Sequence, residues 1–140
     1  MRTLIVFLLL TFPLIVGAKC RAQSNELFSH FFVRFGSDKD FAINRTLYPY
    51  VTLAHEYGVD EKGNDDSRVT KSWVTQEEDR SAPTLSVYRQ KNGLIIGHTK
   101  IGASKATVVV EKPDTDFVLS YHFKRRGKCW YLEYVEDHSL

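Results

Sequence analysis

Residues 118–135, VLSYHFKRRGKCWYLEYV, decide the fold. Two runs rich in aromatic and β-branched side chains flank a polar stretch containing Gly127, the pattern of two antiparallel strands joined by a tight turn. With Arg126 and Gly127 as the turn, Phe123 falls opposite Trp130, Tyr121 opposite Leu132 and Leu119 opposite Tyr134. Side-chain alternation puts all six on one face. The other face carries Val118, Ser120 and His122 against Tyr131, Glu133 and Val135, a composition suited to solvent or to a partner. A slip of one residue would turn the aromatic set outward, so the register is strongly constrained.

A sheet with one greasy face needs a cover, and the front of the chain supplies it. In residues 24–36, SNELFSHFFVRFG, the side chains of Leu27, Phe28, Phe31, Phe32 and Phe35 recur at spacings of three and four, the stripe of an amphipathic helix. Ser24 is placed to cap its start and Gly36 lies just past its end. Ser37, Asp38, Lys39 and Asp40 open a second, short helix with acidic residues in its first turn. Phe41 and Leu47 are its inward positions, and Pro49 ends it. After Pro49 the pattern reads as β. Strands are expected at 50–57, weakly at 69–74, and at 85–90, 94–101, 107–112, 116–124 and 129–136, with a polar loop at 58–67 and a loop or single helical turn at 75–83. The expectation is an α+β domain: two N-terminal helices packed on an antiparallel sheet of five to six strands.

Residues 1–22 read as a signal peptide: Arg2 gives a positive start, residues 4–16 (LIVFLLLTFPLIV) are almost wholly apolar, and small residues follow. The run is shorter than the about 20 apolar residues a membrane span needs, so no stable membrane span is expected. Small residues permit cleavage after Ala18 or after Ala22, and the second is preferred, leaving 23–140 as a single domain. Cleavage there removes Cys20 and leaves Cys129 alone, whereas cleavage after Ala18 keeps two thiols able to pair in an oxidising compartment. Lys19 in front of Cys20 argues against a lipid anchor. Loss of Arg2, Lys19 and Arg21 with the leader turns the formal charge of +2 into −1, which gives the whole molecule no long-range attraction for nucleic acid. The expected location is secreted or periplasmic.

The segment FSHFFVRFGSDKDFAINRTLYP, the later Trp73 and Tyr88, and the terminal GKCWYL together resemble a Bacteroidetes family of secreted or lipoprotein domains, domain of unknown function family 4348. The resemblance covers nearly all of the chain after the leader. It implies a nuclear-transport-factor-like (cystatin-like) cone, in which a curved sheet wraps around N-terminal helices. Folds of this shape host enzymes and binding domains alike, so function has to come from the site.

Several residues invite a chemical reading. His55, Glu56, His98, Asp116 and His122 are the candidates for acid/base work, but His55 and Glu56 point to opposite faces of one strand, Asp116 follows a turn, and His122 lies on the polar face beside Tyr131. None has a partner at a verifiable spacing, so no catalytic residue is assigned. The five histidines are scattered, with no helical i, i+4 pair and no Cys-x-x-Cys, so neither a metal site nor a cofactor is expected. Lys124, Arg125, Arg126 and Lys128 read as a solvated hairpin tip. Trp73, Tyr88, Tyr121 and Trp130 remain as the candidate pocket, able either to line the open end of a cone or to fill it. The sequence therefore favours a secreted, non-catalytic domain that binds a small molecule or a protein partner. The alternative is a small acid/base enzyme of isomerase or dehydratase type, and the open sheet face offers a surface for a homodimer.

Overall fold

The computed structural model describes Cys20 and residues 23–140; the leader reading at 1–22 otherwise lies outside the described residues. The chain forms helices α1 (Phe28–Ser37) and α2 (Lys39–Asn44), strands β1 (Thr46–Val59) and β2 (Asp65–Val74), helices α3 (Gln76–Ser81) and α4 (Leu85–Asn92), and strands β3 (Ile95–Ile101), β4 (Lys105–Glu111), β5 (Val118–Arg126) and β6 (Cys129–Asp137). The strands make one curved six-stranded sheet in the order β2-β1-β6-β5-β4-β3, so the architecture is α+β. Every neighbouring pair is antiparallel except β1 and β6, which run parallel.

The phenylalanine stripe does what its spacing requires. Phe28, Phe31 and Phe35 are buried, and together with Phe32 they surround Phe123 of β5, with ring centroids 5.3–5.8 Å from it and interplanar angles of 67–88°. Edge-to-face contacts of this kind add about 0.5–1.5 kcal/mol each beyond the area they bury. Trp130 is wholly buried beside Phe28, with ring centroids 5.1 Å apart. A buried indole N–H needs an acceptor, and Trp130 Nε1 donates to the Glu26 carbonyl at 3.1 Å. Glu26 also accepts from the Trp130 backbone N–H at 3.0 Å and pairs with Arg45 at 2.9 Å, which fastens the segment before α1 to the start of β6.

The terminal hairpin keeps the shared face of Phe123 and Trp130 but not the expected register. Arg126 pairs with Cys129, so the turn is Gly127-Lys128 and Phe123 faces Leu132. A two-residue hairpin loop favours a primed turn, in which the first central residue has positive φ; Gly127, at φ 59°, meets that condition and Arg126 would not. Between His122 and Phe123 the pairing shifts again, with His122 facing Tyr134 and Glu133 left as the extra residue. This bulge exchanges the faces of the residues beyond it on β6. Val135 is buried on the inner side, and Tyr134 stacks on His122 on the outer side at 4.2 Å, the reverse of the expectation.

The stretch 85–90, expected as a strand, is helical. Thr84 caps it by accepting from the Val87 N–H, and Gly93 ends it in the left-handed region at φ 66°. Residues 76–81 likewise form α3, started by a capping box in which Thr75 and Glu78 satisfy each other's backbone N–H. At the front, α1 begins at Phe28 with no side-chain cap, so Ser24 is not its cap, and Asp38 rather than Ser37 caps α2 through a 3.0 Å bond from the Phe41 N–H. Pro49 sits inside β1, and the loop expected at 58–67 shortens because β2 starts at Asp65.

Cys129 is buried and joined to Cys20 by a disulfide, with the Cα atoms 6.1 Å apart, inside the usual span for such a bond. Among the described residues no helix is long and apolar enough to cross a membrane.

Candidate functional site

The concave face of the sheet is covered unevenly. Helix α1 buries Phe28, Phe31 and Phe35 into it, but neither α3 nor α4 buries a single residue. Between these two short helices and the inner side of β1, β5 and β6 lies a cavity of about 380 Å³, within the range of small-molecule sites, which runs from about 300 to 1,000 Å³. Leu119, Leu132 and Val135 form its floor, Phe35 and Ala42 its inner wall, and residues 82–85 its mouth.

Its polar groups come from three directions. Tyr50 and Thr52 project from β1, Tyr121 from β5 and Tyr88 from α4, while Lys39, Asp79 and Asp137 stand at the edge. Burial, reinforced by the nearby charges of Asp79 and Glu78, pushes the Tyr50 phenol up to about 12. Burial first, and then neighbouring phenols and Asp79, raises Tyr121 as well. Both hydroxyls therefore stay protonated at neutral pH and keep a hydrogen to donate. Among the described residues, no protein hydrogen bond engages the hydroxyls of Tyr50, Tyr88 or Tyr121.

Asp79, by contrast, is committed. Its carboxylate accepts from the Tyr48 hydroxyl, Lys39 Nζ donates to its backbone carbonyl, and the Lys39 ammonium lies 3.9 Å from its Oδ1. These contacts lock α3 to α2 and β1 at one side of the mouth. Burial and the Asp79 hydrogen bond both raise the Tyr48 phenol, which keeps this tie protonated. Asp137 Oδ1 accepts from the Ser139 N–H at 2.9 Å.

Of the four aromatics expected to form a pocket, the structure brings together Tyr88 and Tyr121. Trp130 fills the core beneath α1, and Trp73 is 57% exposed on β2 with Lys71 over its ring. Leu119 is on the apolar face the sequence predicts but is not among the expected pocket residues, and neither are Tyr50 and Asp137, although the alternation of β1 that fixes Thr52 inward places Tyr50 beside it. The acid/base candidates lie elsewhere. His55 and His122 are on the outer side of the sheet, paired with Glu136, while Glu56, His98 and Asp116 are exposed.

No family model matches the chain and no curated protein matches it, so kinship with family 4348 stands as a resemblance of motifs. Solved structures do match. An NTF2-like protein from Bacteroides fragilis superposes with a TM-score of 0.59 at 21% identity, covering 85% of this chain and 50% of that one. The present chain thus spans about half the length of that protein. A DUF4783 family protein from Bacteroides ovatus gives a TM-score of 0.46 at 10% identity, over 84% and 98% of the two chains. An NTF2-like protein of unknown function from Shewanella baltica gives 0.43 at 9% identity, over 79% and 92%. The fold is that of the NTF2-like α+β proteins, and it is the first of these matches that carries the statement.

Proposed function

We propose that this domain is an exported, non-catalytic binding module that holds a small, neutral, largely apolar ligand in the cone between α3, α4 and the inner face of the sheet. The carrying observation is a preformed, largely apolar cavity into which Tyr50, Tyr88 and Tyr121 bring phenol hydroxyls that take no hydrogen bond among the described residues. Apolar walls supply affinity, and a few convergent donors fix orientation. The ligand that suits them carries hydrogen-bond acceptors such as carbonyl, ether or hydroxyl oxygens. An acid/base enzyme would need a carboxylate or histidine free to exchange a proton with its substrate. Of the two carboxylates at the cavity, Asp79 is held by Tyr48 and Asp137 accepts from the Ser139 N–H, while the histidines of β1 and β5 face the other side of the sheet.

Export is supported by the apolar leader at 1–22 and by the Cys20–Cys129 disulfide, a bond that persists in oxidising compartments. The bond also favours cleavage after Ala18 over cleavage after Ala22, because only the first retains Cys20. Intact mass of the exported protein distinguishes the two.

The binding proposal is tested with N-phenyl-1-naphthylamine, a neutral apolar fluorophore. Wild-type protein should enhance and blue-shift its emission on titration. Ala82→Trp, which closes the mouth at an exposed position, should weaken binding by about tenfold or more, equivalent to about 1.4 kcal/mol. Val33→Trp, on the exposed side of α1, should leave it unchanged. Equal enhancement by wild type and Ala82→Trp would contradict the proposal.

A further inference from the structure

The outer face of the sheet carries a second cluster that owes nothing to the cavity. Glu136 of β6 and His138 just beyond it are two residues apart, and the parallel β1–β6 pairing and the antiparallel β5–β6 pairing bring His55 of β1 and His122 of β5 beside them from elsewhere in the chain. One ligand atom from each of His55, Glu136 and His138 lies within 4.8 Å of the other two. His55 Nε2 is 3.6 Å from Glu136 Oε1, and His138 Nε2 is 3.6 Å from Glu136 Oε2. Zinc binds nitrogen at about 2.0–2.1 Å and carboxylate oxygen at about 2.0–2.2 Å in a tetrahedron, which puts neighbouring ligand atoms about 3.4 Å apart. Each imidazole nitrogen thus stands near that separation from one oxygen of the Glu136 carboxylate, Oε1 for His55 and Oε2 for His138. Seating both on one ion requires a rotation of the carboxylate or of the stacked His55 and His138 rings, whose centroids are 4.4 Å apart.

Two further features match a metal centre and not a chance gathering of side chains. His55 Nε2 is buried and has no hydrogen-bond partner among the described residues, a cost that a metal bond would remove. The groups around it are also held from behind, as outer contacts hold metal ligands. His138 Nδ1 lies 3.4 Å from the Tyr57 hydroxyl, leaving its Nε2 turned toward Glu136. His122 Nδ1 lies 3.2 Å from the Thr107 hydroxyl and its Nε2 2.8 Å from Glu136 Oε2, which fixes the carboxylate while Oε1 faces His55.

We infer that His55, Glu136 and His138 form a binding site for a borderline divalent cation of the zinc class, with His122 as a positioning residue for Glu136. Imidazole and carboxylate are the donor set such ions prefer. The three side chains leave one coordination position for water or an outside donor. The ion would tie the C-terminal end of β6 to β1, on the side of the sheet away from the cone.

The test uses untagged, chelator-stripped protein titrated with zinc against a chromophoric chelator, with thermal unfolding followed in parallel. Wild type should bind one zinc per chain and melt at higher temperature with zinc present, since a ligand held only by the native state stabilises it. His55→Gln and His138→Gln should each weaken binding by about 100-fold or more and abolish the thermal shift, while His122→Phe should weaken it by about tenfold. His98→Gln, at an exposed position on β3, should behave as wild type. Cobalt in place of zinc should give the intense visible bands of a tetrahedral nitrogen and oxygen site, and lose them in His55→Gln protein that retains its far-ultraviolet circular dichroism. Absence of stoichiometric binding by wild type, or full retention of it by the His55→Gln/His138→Gln double variant, would overturn the inference.

Discussion

The two ends of the concave face are built on the same strands and come out differently. Beneath α1, Phe123 and Trp130 meet a set of phenylalanines and are almost wholly buried; beneath α3 and α4, Leu119 and Tyr121 of that same β5 look into a cavity. The sheet does not cause the difference, since β5 turns large apolar or aromatic side chains inward at both ends, Leu119 and Tyr121 at one and Phe123 at the other. The cover does. Helix α1 presents an aromatic side chain at each inward turn, whereas α3 is the polar hexamer QEEDRS and α4 turns only Leu85 and Tyr88 toward the sheet. A helix held by caps and salt links instead of by buried side chains can roof a space without filling it.

The largest effect should come from emptying the filled end. Phe123→Ala removes the ring on which four phenylalanines converge and should cost about 3–5 kcal/mol in denaturant unfolding, whereas Leu119→Ala, four residues earlier on the inner face but already bordering open space, should cost about 1–2. Equal losses would erase the distinction between the ends. Next comes the fastening of the filled end. Glu26→Ala leaves the Arg45 guanidinium without its partner at a site where both side chains are less than one fifth exposed, and should cost about 3 kcal/mol in the same measurement.

The roof should respond more weakly and more locally. Thr75→Ala removes the capping box of α3 and should cost about 1 kcal/mol, seen as faster amide exchange in Gln76–Ser81 with little change at α1. Smallest is an alkaline effect confined to the hollow end. The Tyr50 phenol, at 10.0 when unfolded and about 12 when folded, binds its proton more tightly in the native state. Its contribution is complete below pH 10 and is lost as pH rises toward 12. Tyr50→Phe should therefore flatten part of the decline in stability over that window, measured by urea midpoint against pH.

The filled end was legible because its signals are local and redundant. Phe28, Phe31 and Phe35 repeat at helical spacing, and Phe123 and Trp130 stay on one face despite the two-residue shift in register. The hollow end was hidden by short-range ambiguity. LSVYRQ alternates well enough to pass for a strand, and only the Thr84 cap and the Gly93 terminus mark it as helix α4. The bulge at Glu133, which turns Val135 rather than Tyr134 inward, leaves no mark in the hairpin's alternation. Trp73 and Trp130 illustrate the same limit: aromatic content says that a side chain has area to bury, and strand order says where. In the cluster of His55, His122, Glu136 and His138, only Glu136 and His138 are neighbours in the chain; His122 joins them through the antiparallel β5–β6 pairing and His55 through the parallel β1–β6 pairing, which no spacing within the chain expresses.

The most direct measurement is a crystal structure of the protein with N-phenyl-1-naphthylamine bound. The account predicts density for the fused rings between Tyr88, Leu119 and Tyr121, with α1 and its phenylalanines unmoved. Density seated only on the outer face, or a cavity closed by Leu85 and Tyr88 resting on Leu119, would contradict it.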